Sequence, residues 1–91
     1  MSDLSAAEAR WSGWVASTSE ALGIDASSVD IEAIHALTKT VAHGLDRPLA
    51  PVSSYLLGVA VGVRLGRGEV VGAAERARLQ RLIEDTVPVP A

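Results

Sequence analysis

Chemistry in this chain would have to come from a small set of side chains. There are two histidines, His35 and His43, and no cysteine. The histidines stand eight positions apart, roughly 12 Å along a helix, which is too far for both to hold one metal. No carboxylates are spaced to complete a site around either, so no metal is expected. His35 falls on the solvent side of its helix. His43 falls at a helix end, where a protonated imidazole is favoured by the helix dipole.

A denser group follows His43. Asp46, Arg47, Ser53, Ser54 and Tyr55 lie within the next twelve residues. Serine, histidine and aspartate together suggest hydrolysis, but the chain has no strained nucleophile turn and no oxyanion site to go with them. Anion docking is a better use of the group. Arg47 offers a planar fork, the two serines offer hydroxyls, and the start of the following helix offers free N–H groups. The plainer reading is structural. His43 or Arg47 would meet helix-end carbonyls, Asp46 would accept turn N–H groups, and Tyr55 would pack with its hydroxyl in water. Neither reading needs catalysis, so a non-enzymatic protein without a cofactor is expected. His43, Asp46, Arg47, Ser53, Ser54 and Tyr55 are its candidate ligand- or partner-binding residues.

Nothing resembles a nucleotide loop. Arg67-Gly68 belongs to neither a GxxxxGK[ST] nor a GxGxxG pattern. Arg76, Arg78 and Arg81 alternate with Glu75, Glu84 and Asp85 as a solvated helix face would. A DNA-reading helix needs a concentrated basic face, so no nucleic-acid partner is expected.

The elements that would position these residues are helices. The first is predicted over 3–22, with Ser2, Asp3 or the Ser5/Glu8 pair at its start and Gly23 as its left-handed stop. Trp11, Trp14, Val15, Thr18 and Leu22 share one side of it. Trp14 is expected in the core, and Trp11 at its edge as an interface candidate. The second is predicted over 28–43, with Asp25, Ser27 or Ser28 as N-cap and Gly44 as its stop. Its apolar side is Ile31, Ile34, Leu37, Thr38 and Val41. Pro48 and Pro51 then stiffen residues 45–51.

The third helix, over 51–65, is apolar around almost its whole circumference, which predicts a central, mostly buried helix. Gly58, Gly62 and Gly66 recur every fourth residue, a spacing that suits close approach of another helix and has no β-sheet logic. A fourth helix follows over 70–86, with Gly72, Leu79, Leu82, Ile83 and Thr86 on one side, and Pro88 and Pro90 end regular structure. The fold class expected is all-α. It is a compact four-helix bundle, irregular rather than strictly up-and-down, in one domain over 1–91.

Composition agrees with a folded chain. Of 91 residues 48% are hydrophobic, and the net charge is −3. Residues 1–46 hold seven acidic and two basic side chains, while residues 47–91 hold six arginines and four acidic side chains. No disulfide framework is available. No basic-then-apolar leader opens the chain, and the longest uncharged apolar run, 55–63, is under half the roughly 20 residues that span a bilayer. A cytoplasmic protein that engages no membrane is the expectation.

The run TVAHGLDRPLAPVSSYLLGVAVG over 40–62, with Trp14 and Leu22-Gly23 before it, resembles a family of short actinobacterial helical proteins of unknown function. That family is similar to a helical segment found beside, or fused to, the molybdenum cofactor guanylyltransferase. The matching positions are Trp14, Leu22, Gly23, Val41, Ala42, His43, Arg47, Pro48, Ala50, Pro51, Leu57, Gly58, Ala60 and Gly62. The chain departs from the pattern at Lys39 and Thr40, where an acidic residue is common, and at Ser53 and Ser54, where threonines are usual. The family brings no catalytic residues. The resemblance implies an accessory or protein-interaction domain in molybdenum cofactor biosynthesis, with the guanylyltransferase or a molybdoenzyme component as protein partner. Two alternatives stand beside it: a homo-oligomeric structural protein, and a small-molecule or anion binder centred on Arg47.

Overall fold

The structure, a computed structural model, describes residues 3–88. The expected cap Ser2 and terminator Pro90 lie outside the described residues. The protein is all-α, with four helices and one 3-10 turn, and no strand among the described residues. The helices are α1 (Asp3–Leu22), α2 (Ile31–Gly44), α3 (Leu49–Gly66) and α4 (Ala73–Glu84), and Ala26–Ser28 forms the 3-10 turn. The chain divides into two units, residues 1–32 and 33–91.

In the first unit, α1 already includes Ser5, so the Ser5/Glu8 pair does not mark its start. The other end follows from glycine chemistry. Gly23 adopts φ 72°, a conformation that costs a Cβ-bearing residue energy. With Gly23 left-handed, its N–H reaches the Glu20 carbonyl at 3.1 Å and the Ile24 N–H reaches that of Ser19 at 2.9 Å. These are the two bonds of a Schellman cap.

Asp25 then caps the 3-10 turn, rather than α2, by accepting the Ser27 N–H at 2.9 Å. That backbone hydrogen bond, helped by the Ser27 side chain, holds the Asp25 carboxyl below its ordinary value of 3.8. The turn occupies the residues predicted to open α2, which therefore begins at Ile31 rather than at 28.

Trp14 is not a core residue: it is 70% exposed. Ser19, five positions on, is buried instead, so the covered side of α1 is turned away from Trp14. Periodicity identifies residues that share a side. It does not say which part of that side another element covers.

The second unit holds the buried cluster. Leu37 and Val41 from α2, Leu57 and Val61 from α3 and Leu79 from α4 pack together, with Ala60, Val71, Ile83 and Val87 against them. The spacing of each pair is one helical turn, which puts both members on one side. Full burial of such side chains contributes roughly 1.5–3 kcal/mol each. Gln80 on α4 adds a polar tie, its Nε2 donating to the Ala33 carbonyl at 3.0 Å.

One glycine expectation, that for Gly44, changes. Gly44 is not a left-handed stop, because α2 runs through it and the Leu45 N–H still bonds the Val41 carbonyl at 2.9 Å. Gly66 ends α3, and Gly68, at φ 81°, takes the left-handed place. The Gly68 N–H reaches Leu65 and the Glu69 N–H reaches Arg64, each at 3.0 Å.

Gly44 serves packing instead. A Cβ there would collide with Val87 Cγ1 and stand 3.4 Å from the Pro88 carbonyl oxygen. A Cβ at Gly58 would meet nothing within 4 Å. Gly58→Ala is therefore expected to stabilise by about 1 kcal/mol through helix propensity alone. Gly44→Ala is expected to lower the melting temperature, because overpacking costs about 1–3 kcal/mol and outweighs the same propensity gain. Paired thermal melts check both.

Candidate functional site

The proline-framed corner between α2 and α3 carries the residues singled out from sequence. Pro48 is the N-cap of α3, at φ −61° and ψ −18°, and makes no side-chain cap bond. The helix thus starts at Leu49, two residues before the predicted position, with Pro51 in its first turn where a missing N–H costs little.

That early start spends the N–H groups an anion would use. The Leu49 N–H donates to the Asp46 carbonyl and the Ala50 N–H to the Arg47 carbonyl, both at 3.0 Å. Pro48 and Pro51 have no N–H. The serine hydroxyls are also turned inward along the helix. Ser53 Oγ donates to the Ala50 carbonyl at 2.6 Å and Ser54 Oγ to the Pro51 carbonyl at 2.9 Å. The geometry removes the donors on which anion docking would rest, apart from Arg47 itself.

Nor do the candidates share one side. Ser53 is buried at 4% exposure, while Tyr55 is 73% exposed. Two residues apart on a helix they point about 200° from each other. His43 in the last turn of α2, and Asp46 and Arg47 in the corner, are all exposed. Trp11 is exposed on α1. Among the described residues no group of three His, Cys, Asp or Glu could hold a metal ion.

The arginine-rich helix reads as a charged surface with one defined pair. Arg78 Nε donates to Glu75 Oε1, one turn apart on α4. That bond holds the Glu75 carboxyl below its usual range and raises the Arg78 guanidinium, with a smaller lowering of Glu75 from the charge of Arg64. Arg64 in turn donates Nη1 to the Ala60 carbonyl at 3.0 Å. Both groups of the Glu75–Arg78 pair are well hydrated, so it contributes little to stability.

The feature that sequence reasoning missed is the other side of α3. The helix is not buried all round. Ser53, Leu57 and Val61 are its buried residues. Val52, Leu56, Val59 and Val63, on the opposite side, are each 44–53% exposed, and Tyr55 borders them. Among the described residues of the second unit, nothing lies within 4 Å of a Cβ at Gly58, Gly62 or Gly66, so the close approach expected over these glycines is not made by α2 or α4.

A signal for this was present. The second and fourth helices carry only enough apolar residues to cover one side of the third. Leu49–Gly66 is also long and apolar enough, by length and composition, to cross a membrane, with a mean hydropathy of 1.4 over 18 residues. A scan of the uncharged run alone does not detect this.

Comparison with known proteins adds a family. The one described as a domain of unknown function, DUF6457, matches residues 6–88, and the chain belongs to it. No curated protein and no solved structure matches the chain.

Proposed function

We propose that this helical family member is a non-catalytic accessory domain that binds a protein partner through the outer side of α3. The observation that carries this reading is the exposure of Val52, Leu56, Val59 and Val63 on the most apolar helix of the chain. Contiguous exposed apolar surface of this kind marks contact sites more often than chance, and Tyr55 beside it is a residue type favoured at interfaces. The corner residues Asp46 and Arg47 supply exposed charge at one end of the same surface.

The partner class comes from the sequence resemblance over 40–62. It supports a role in molybdenum cofactor biosynthesis, with the guanylyltransferase as the partner to try first. Purified guanylyltransferase from the same genome should bind the protein in calorimetric titration. Leu56→Ser should weaken that binding at least tenfold while the helical circular dichroism is kept. A flat titration with the wild-type chain would sink the molybdenum reading.

A further inference from the structure

The segment after α4 takes over the task that the sequence assigns to Gly44. Without a left-handed cap, α2 ends at this glycine, and the Leu45 N–H still reaches back to the Val41 carbonyl. A helix end of that kind frays, the more so with glycine in its last position. Something else has to hold it. Of the eight glycines, Gly44 is the one whose missing Cβ leaves room for a neighbour. That neighbour is Val87, with the Pro88 carbonyl beside it. We infer that residues 85–88 are a strap that seats Val87 on Gly44 and thereby fixes the corner between α2 and α3. Lifting the strap loosens the corner while the three helices stay packed.

The corner is held unequally at its two ends. On the α3 side the Leu49 N–H bonds the Asp46 carbonyl and the Ala50 N–H bonds the Arg47 carbonyl. Pro48 and Pro51 fix two further backbone angles there. On the α2 side the hold is the Leu45 bond to Val41 and the cover that Val87 gives Gly44. Asp46 and Arg47 therefore move with the last turn of α2, and that turn is as firm as the strap over it.

The strap's own bonding lets it lift. The N–H groups of Asp85, Thr86 and Val87 bond back to α4, at the carbonyls of Arg81, Ile83 and Glu84, and Thr86 Oγ1 donates to the Ile83 carbonyl as well. Its hold on α2 is the packing of Val87 and Pro88 at Gly44. Pro88 has no N–H to add. Val87 borders the buried cluster and is only partly buried, so lifting it opens an edge and leaves Leu37, Val41, Leu57, Val61 and Leu79 together. Openings of this size occur well short of global unfolding. A partner that takes hold of Asp46 and Arg47 would meet an ordered corner with the strap down and a mobile one with it up. The strap itself is a property of the free chain and does not rest on that partner.

The test is NMR relaxation of the backbone amides in the full chain and in Val87→Ser, with Val70→Ser as the matched change at a residue 93% exposed. The amides of Leu45, Asp46 and Arg47 should show order parameters of about 0.85 in the wild type and fall toward about 0.6 in Val87→Ser. Those of Leu57 and Val61 should hold, and Val70→Ser should move none of them. Thermal melts give a second reading. Gly44→Ala lowers the melting temperature of the wild type, as predicted above. In the Val87→Ser background it should raise it, because the obstruction is gone and the helix propensity of alanine remains. A folded Val87→Ser protein with a rigid corner would overturn the inference. So would order parameters that fall equally at Leu57 and Val61, loss of helical circular dichroism in Val87→Ser, or a Gly44→Ala cost that is the same in both backgrounds.

Discussion

Val61→Asp is expected to abolish the folded state of residues 33–88, whereas Val59→Asp, two residues earlier on the same helix, leaves it intact. Val61 is 9% exposed and packs in the cluster with Leu37, Val41, Leu57 and Leu79. No basic side chain belongs to that cluster, so an aspartate there would be a buried charge without a partner. Such a charge costs on the order of 3–5 kcal/mol or forces the carboxyl to stay protonated. A unit the size of residues 33–88 has about 3–8 kcal/mol of total stability, and the loss consumes most or all of it.

Val59 is 47% exposed, and its outward half keeps an introduced carboxylate in water. Its change should cost under about 1 kcal/mol, chiefly through the lower helix propensity of aspartate. Far-UV circular dichroism and urea titration of the two variants side by side make the comparison. Equal destabilisation would mean that α3 is buried on both sides after all.

Leu37→Ala should be the most damaging truncation. Leu37 has no exposed surface and stands where α2 meets the cluster. Removing its isobutyl group loses transfer free energy and leaves a cavity lined by side chains that already fit one another. Comparable truncations cost about 2.7–5 kcal/mol, with the cost set by how far the site can collapse. The upper half of that range is expected here, because Val41, Leu57, Val61 and Leu79 are each held on a helix and can move inward only as helices move. The measurement is the shift in urea midpoint at constant slope. A fall in slope as well would report loss of cooperativity.

The helices were legible because local signals agree with one another. Gly23 ends α1 as its position suggests, and Leu37, Val41 and Leu79 sit on helix sides the pattern identifies. Boundaries were less legible where two local structures compete for the same residues. Asp25, Ser27 and Ser28 suit the N-cap of a long helix and equally suit a 3-10 turn, and the turn prevails.

The coverage of α3 could not be read from its own residues. Val59 and Val61 are the same residue type in one apolar run, yet one is open and the other closed. The candidate site was legible as a location and not as a chemistry. Asp46 and Arg47 stand exposed where expected, but Ser53 points into the core and the N–H groups near them are spent on carbonyls.

The split character of α3 has a consequence for how such a protein can change over time. Substitutions on the side holding Leu57 and Val61 are tied to the shapes of α2 and α4, and few will be tolerated. Substitutions at Val52, Leu56, Val59 and Val63, each about half exposed, meet far less restraint from α2 and α4. New binding preferences can therefore accumulate on one half of a helix while the other half keeps the architecture unchanged. A single scaffold can in this way be retuned to new associates without first becoming unstable.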